Sequence, residues 1–288
     1  AKKDTNPTEL SRLMVGREVD LNIHVSPYAP GEEVLRLSNI CAVSRRGLPA
    51  LRGVSFRVRE GEIVGIAGVE GNGQTELVDV ISGMAPIKSG EILFRRERID
   101  ALPVRRRRDL GMSHIPEDRL RVGVAKACTI QDNLVLNRYY QRPYCKTGVL
   151  DSARLGMFAE QLCQNYQVKT PDAGYRLGTL SGGNMQKVIF AREAEMDADL
   201  MIAAQPTRGI DIGSIEYIHN EIGKLRDRGK AILLVSAELE EIMSLSDRIL
   251  VIYEGRIVAQ FHRGEATRHE IGMYMLGSKR MELTEDML

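Results

Sequence analysis

The chain has no tryptophan, and only five phenylalanines and nine tyrosines among its 288 residues. Proteins that hold unpaired bases stack them on aromatic rings, so nucleic acid is not an expected partner. Neither sign of charge is in excess. Forty Lys and Arg stand against 39 Asp and Glu, a net charge of +1, so no global field draws the chain to nucleic acid or to an anionic membrane. The four cysteines, Cys41, Cys128, Cys145 and Cys163, are scattered and form no C-x-x-C pair. That pattern points away from a zinc site or a disulfide framework and toward a reducing compartment. No apolar run approaches the ~20 residues that span a bilayer, and no leader pattern opens the sequence.

Basic residues do concentrate locally, at Arg95, Arg96, Arg98 and 105–108. Such a block is ordinarily a solvated face; the other reading is a docking surface for an acidic partner. The length allows one large or two small domains with an ample core. Short β-branched or apolar runs at 34–37, 54–58, 63–67, 91–94, 200–204, 231–235 and 249–253 predict strands. Several are apolar throughout, as in strands buried on both faces. Gly255, between Glu254 and Arg256, predicts a hairpin turn. Helices are expected at 75–82, 151–166, 182–194, 214–227 and 238–244. Strands alternating with helices make the expected fold class α/β with a largely parallel central sheet. The stretch from about 120 to 195 carries little strand signal and reads as an inserted helical lobe.

Chemistry-bearing motifs stand in a fixed order. The strand at 63–67 runs into Gly68-Val69-Glu70-Gly71-Asn72-Gly73-Gln74-Thr75. This matches the phosphate-loop pattern G-x-x-x-x-G-K-[ST] in spacing, glycines, terminal Thr and context. The lysine alone is missing, replaced by Gln74. Glycines let the backbone turn and aim N–H groups at phosphate oxygens; the plain alternative is a glycine turn that holds no nucleotide. About a hundred residues on stands Leu180-Ser181-Gly182-Gly183-Asn184, with Gln186 and Lys187 after it. A Gly pair opening a helix exposes N–H groups that can hold an anion, and Ser181 adds a hydroxyl. An apolar strand then ends in Ala204-Gln205-Pro206-Thr207.

In this order and spacing, over residues 34–277, the motifs resemble those of the ATP-binding-cassette (ABC) ATPases, whose signature is LSGG[QN]. The resemblance implies a P-loop NTPase core of the ABC type, with N-terminal antiparallel strands and an inserted helical lobe, and ATP and Mg²⁺ as cofactors. It assigns nucleotide contacts to Gly68, Gly71, Asn72, Gly73, Gln74 and Thr75, with Thr75 also a weak Mg²⁺ ligand. Glu117, in Ile115-Pro116-Glu117-Asp118-Arg119, stands near the family's Q-loop glutamine. Asp211 matches the D-loop aspartate; its ordinary alternative is a helix cap before Ser214. Four positions depart from the family pattern together. Gln74 replaces the lysine, Ala204 the Mg²⁺-orienting Asp, Gln205 the general base, and Ala237, after Ser236, the switch histidine. Losing a charge-assisted hydrogen bond costs roughly 1.5–3 kcal/mol, which weakens nucleotide binding. A positioned general base is worth about 10²–10⁴-fold in rate, so useful hydrolysis by this half is not expected. No adenine-stacking aromatic stands between Ile40 and Leu51.

The resemblance is to the second nucleotide-binding domain of tandem ATPases that serve bacterial sugar-type importers, and within them to the nucleoside branch. Two such domains close head to tail around ATP. Leu180, Ser181, Gly182, Gly183, Asn184 and Gln186 would then act in trans, on ATP held by the preceding domain of the same protein. Membrane permease subunits, and indirectly a substrate-binding lipoprotein or periplasmic protein, are the other implied partners, at the cytoplasmic face of the bacterial inner membrane. Residues 8–17 and 269–278 resemble each other as short amphipathic helices closed by Gly, and the first residue is Ala. The organisation expected is therefore 1–33 as the tail of a missing domain plus a linker from about 25, 34–277 as the cassette, and 278–288 as a C-terminal tail. Three alternatives remain: a self-sufficient ATPase homodimer, a pseudo-ATPase scaffold that binds no nucleotide, and an ABC protein acting on the ribosome. The near-neutral charge and the lack of a long charged linker argue against the last.

Overall fold

A computed structural model describes residues 29–284. The expected helix at 8–17 and the final residues lie outside that range. In chain order the elements begin β1 (Glu33–Val43), β2 (Pro49–Arg59), β3 (Ile63–Ala67), α1 (Gln74–Ser82), β4 (Ser89–Phe94), β5 (Glu97–Arg98), α2 (Val104–Asp109) and β6 (Met112–Ile115). Then follow α3 (Ile130–Val135), β7 (Cys145–Lys146), β8 (Val149–Leu150), α4 (Ser152–Asn165), α5 (Gly182–Ala194) and β9 (Leu200–Ala204). The series ends with α6 (Ile212–Asp227), β10 (Ala231–Ser236), α7 (Leu239–Leu245), β11 (Arg248–Tyr253), β12 (Arg256–His262) and α8 (Arg268–Met275).

The chain divides into two compact units. The larger holds residues 29–114, Asp197–Gln205 and 222–284, and is built on two sheets. One is antiparallel, in the order β2-β1-β4-β5; the other is six-stranded, in the order β12-β11-β3-β10-β9-β6. Strands β3, β9 and β10 are buried at every residue, which is why they read as unbroken apolar runs. They pair in parallel, with Ala67 opposite Ser236 and Val235 opposite Ala204. That register brings the carboxyl ends of three strands to one edge, the edge where ligands bind in open α/β sheets.

Buried ion pairs pin the opposite edge. Asp247 accepts from the Ile63 N–H at 2.9 Å and pairs with Arg226 at 2.8 Å. Glu62 pairs with Arg248 at 2.8 Å. Removing one partner of such a pair strands a charge in the interior, so these contacts specify the strand starts. α8 begins with a capping box between Thr267 and Glu270. It ends as the sequence predicts, with Gly277 left-handed and Ser278 donating to the Met273 carbonyl. Within the expected tail, the Met281 N–H donates to the Val258 carbonyl on β12. At the other end the expected linker is already tied down at Gly31, whose N–H donates to Glu60.

Most of the arginine block is exposed, as a solvated face requires, with Arg95, Arg96, Arg98, Arg105 and Arg106 at the surface; Arg107 departs from that expectation. Arg107 is only 2% exposed and donates to the carbonyls of Val80, Ile81, Leu102 and Asp100 at 2.6–3.0 Å. It caps the last turn of α1, whose final C=O groups have no partner inside the helix. Arg95 bridges Glu60 and Asp199 at 2.8 and 2.6 Å, and Arg98 pairs with Asp100 at 2.8 Å.

The second unit holds Ile115–Met196 and Pro206–Glu221. Its core is built from α3, α4 and α5, through Ile130, Leu134, Ala159, Leu162 and Val188. A capping box between Thr129 and Asp132 starts α3. A small hairpin, β7–β8, stands where no strand was expected.

Candidate nucleotide site and signature helix

In the larger unit, β3 ends at Ala67 and the glycine loop leads into α1. Gly71 and Gly73 have φ of 92° and 108°. A Cβ at Gly73 would come within 2.9 Å of the Ala50 carbonyl, so only glycine lets the loop turn this tightly. Gly73 is the N-cap of α1 and gives no side-chain cap bond. The first N–H groups of that helix therefore face its open end, as an anion site requires.

Gln74 does not reach outward as a phosphate-binding lysine would. Its Oε1 accepts from the Asn72 N–H at 3.1 Å, and its Nε2 donates to the Val69 carbonyl at 3.0 Å. Asn72 locks the loop to the β11–β12 turn: its Oδ1 accepts from Glu254 at 2.8 Å and its carbonyl from Gly255 at 2.9 Å. Thr75 is exposed at the start of α1.

The neighbouring strand ends carry the other replaced groups. Ala204 is 3% exposed and apolar. Gln205 follows with φ of 50°, a left-handed conformation uncommon outside glycine. Its N–H donates to Val235 at 2.7 Å, and its side-chain Oε1 accepts from the Ala237 N–H at 3.2 Å. The ends of β9 and β10 are thus joined directly. The joining group is a neutral carboxamide, which cannot take a proton.

These residues fit a phosphate chain in shape. They do not fit a tightly held Mg²⁺, because Ala204 supplies no oxygen and, among the described residues of this unit, Thr75 and the neutral carboxamides of Gln74 and Gln205 supply no carboxylate. Among the described residues no group of three or more His, Cys, Asp or Glu is placed to hold a metal.

In the second unit Ser181 is the N-cap of α5, its Oγ accepting from the Asn184 N–H at 3.4 Å and from Asn184 Nδ2 at 3.1 Å. Asn184 Oδ1 accepts from the Lys169 N–H at 2.9 Å. Gly183 is buried against the start of α6: a Cβ there would fall 2.2 Å from Ser214 Oγ and 2.5 Å from Asp211 Oδ2. Asp211 caps α6, accepting from the Ser214 N–H at 2.9 Å and hydroxyl at 2.8 Å. Burial opposes its charge, but the Ser214 bonds and nearby Lys187 outweigh it and hold the carboxyl below the usual range. The capping alternative therefore describes what its side chain does.

The signature residues divide by exposure. Ser181 is exposed and Gly182 and Asn184 half-buried, whereas Gln186 is 2% exposed and Leu180 packs on the lobe core. Leu180 is partly and Gln186 almost fully covered within this unit. Glu117 pairs with Arg208 at 2.9 Å.

Arg119 was not singled out by the sequence, where it served only as the end of a loop motif. Its Nη1 donates to the Arg208 carbonyl at 3.2 Å, and its Nη2 lies 3.3 Å from where a Cβ on Gly182 would stand. A cation thus borders the signature turn. Burial lowers its pKa, and its Nε is buried without a hydrogen-bond partner among the described residues.

Comparison with known proteins agrees with this architecture. The family model described as "ABC transporter" matches residues 51–208, more than half of the chain. The chain is 46% identical over 280 residues to the guanosine import ATP-binding protein NupO of Bacillus subtilis, covering 97% of this chain and 55% of that protein. It is 40% identical over 274 residues to the nucleoside import ATP-binding protein NupA of Lactococcus lactis, covering 95% and 54%. The chain therefore spans about half the length of the curated relatives it matches. Among solved structures, a nucleotide-free ATP-binding cassette from an ABC transporter superposes with a TM-score of 0.70 at 22% identity, covering 85% of this chain and 96% of that one. The ADP conformation of the cassette MJ1267 gives 0.67 at 22% identity, covering 85% and 95%. The fold, the order of the motifs and the family match agree, and the chain belongs to the ABC transporter family.

Proposed function

We propose that this chain is the second nucleotide-binding cassette of a two-cassette importer ATPase for nucleosides or simple sugars, and that it donates its signature turn rather than hydrolysing ATP itself. In this reading residues 1–33 are the end of the first cassette and a linker, 34–277 the second cassette, and 278–288 its tail. The observation that carries the proposal is the Gln205–Ala237 link. Where a general base and a switch histidine would act, a carboxamide and a backbone N–H bond to each other. No group there accepts a proton from water.

The signature turn keeps its donors. Ser181 and the N–H groups opening α5 lie at a partly exposed helix start, with the Arg119 cation beside Gly182. Preorganised donors of this kind stabilise charge that develops on a phosphoryl group. In the proposed arrangement they act on the nucleotide held by the first cassette. This cassette's own loop would hold nucleotide weakly through Gly71, Gly73 and Thr75, with Mg²⁺ loosely bound when present. Closure of the two cassettes would drive permease subunits at the cytoplasmic face of the inner membrane, fed by a substrate-binding lipoprotein or periplasmic protein. The length ratio to the relatives and the import functions in their names support the two-cassette importer reading.

The test is ATPase assay of this chain alone. Turnover indistinguishable from uncatalysed hydrolysis is expected. Robust turnover abolished by Gln205→Ala would instead support a self-sufficient homodimer.

A further inference from the structure

We propose that Gln74 is the resident ligand of its own phosphate loop, holding the hydrogen-bonding place that a phosphate oxygen must take to bind there. The inference rests on reading residues 68–75 as a nucleotide loop. The geometry is a closed ring. Oε1 accepts from the Asn72 N–H at 3.1 Å and Nε2 donates to the Val69 carbonyl at 3.0 Å, so both ends of the carboxamide are satisfied within the loop. The amide lies on the loop floor, where a Cβ at Gly68 would meet Nε2 at 2.6 Å.

The replacement of lysine by Gln74 therefore has two separable effects. It removes a cation, as the sequence alone shows. It also adds an acceptor, which an ammonium does not have. The Asn72 N–H also makes a longer bond, 3.3 Å, to the Val69 carbonyl; a lysine, having no acceptor, would leave it that longer bond alone and its nearer side for an incoming anion. Gln74 spends that donor in advance on a neutral oxygen, and an incoming phosphate must displace it. The loop meanwhile needs no anion to keep its shape. Asn72 Nδ2 donates to Val69 at 3.0 Å, and Glu254 and Gly255 donate to Asn72. Every contact in this account lies within the larger unit.

The two effects predict different results for deletion of the carboxamide: loss of the cation alone predicts no gain in binding, whereas removal of the acceptor predicts one. The experiment titrates ATP into this chain and into Gln74→Ala, Gln74→Met and Gln74→Lys, by calorimetry. In parallel, hydrogen exchange at the Asn72 amide is followed without nucleotide. Gln74→Met keeps the length of the side chain and removes both polar atoms, so it guards against a folding defect in the alanine variant. A displaced acceptor of net worth about 1 kcal/mol corresponds to roughly fivefold tighter binding in Gln74→Ala and Gln74→Met. Gln74→Lys, which adds the charge as well, should bind tighter still. Asn72 exchange should be faster in Gln74→Ala and Gln74→Met. Equal or weaker ATP binding by both neutral variants, or unchanged exchange at Asn72, would overturn the proposal. If no variant binds ATP while Asn72 exchange still accelerates, the nucleotide reading of the loop fails and the self-ligation stands.

Discussion

Gly183→Ala is the sharpest probe of how the signature turn is built. The new methyl carbon would fall 2.2 Å from Ser214 Oγ, 2.5 Å from Asp211 Oδ2 and 3.0 Å from Ser214 Cβ. None of these is the end of a long flexible side chain. Ser214 and Asp211 are bonded to each other through both the hydroxyl and the backbone N–H, and together they open α6. The methyl is admitted only if α5 shifts or the cap of α6 comes apart. Overpacking of this kind costs about 1–3 kcal/mol, and loss of an N-cap about 0.5–2 kcal/mol. A destabilisation of about 2 kcal/mol lowers the melting temperature by about 4–8 °C in a chain of this size. The assay is thermal unfolding followed by circular dichroism, on Gly183→Ala, Ser214→Ala and the double variant. Ser214→Ala removes the nearest obstacle, so the double variant should be more stable than additivity predicts by about 1 kcal/mol. A melting temperature within about 1 °C of the parent, or strict additivity, would refute the close approach of these two helix starts.

Other expectations follow from buried groups. Arg107→Met removes the donor to four carbonyls in a site 2% exposed. Stranded acceptors cost about 1–3 kcal/mol each before relaxation, so the urea midpoint should fall by more than for Arg106→Met on the same helix; an equal fall would contradict the capping role. Burial, aided by Glu160, pushes the Cys163 thiol up to about 11, while Cys128 is exposed. The thiolate is the reactive form, so iodoacetamide at pH 8 should label Cys128 first and Cys163 only after unfolding. Equal labelling of both in the folded chain, followed by peptide mass spectrometry, would refute the burial argument.

The central sheet was legible wherever burial is achieved by apolar side chains alone. β3 and β9 were read with both ends correct, because unbroken β-branched or apolar runs stop at Gly68 and begin after Asp199. Reading failed where polar residues are buried. Met112–Ile115 contains Ser and His and was not expected as a strand, although its neighbour β9 completes its burial. Arg107 was grouped with its exposed neighbours because two of its four carbonyl partners, Val80 and Ile81, lie on a helix distant in sequence. The site was legible as positions and not as bonds. Motif spacing located Gln74, Gln205 and Ala237, but their hydrogen bonds depend on loop shape and strand register, which no linear pattern records. The signature run was grouped by its resemblance to the family motif, which does not show that the 3.6-residue helical period turns Gln186 inward.

The division of labour is tested most directly in the two-cassette protein, by comparing steady-state ATPase rates of Ser181→Arg and Gln205→Ala. Ser181→Arg fills the signature turn with a bulky cation beside Arg119, while Gln205→Ala alters only a position that already lacks a base. If this cassette lends its signature and does no chemistry of its own, Ser181→Arg abolishes turnover and Gln205→Ala leaves it within about threefold, the scale of an incidental packing change of under 1 kcal/mol. Turnover that survives Ser181→Arg and is lost in Gln205→Ala would contradict the account.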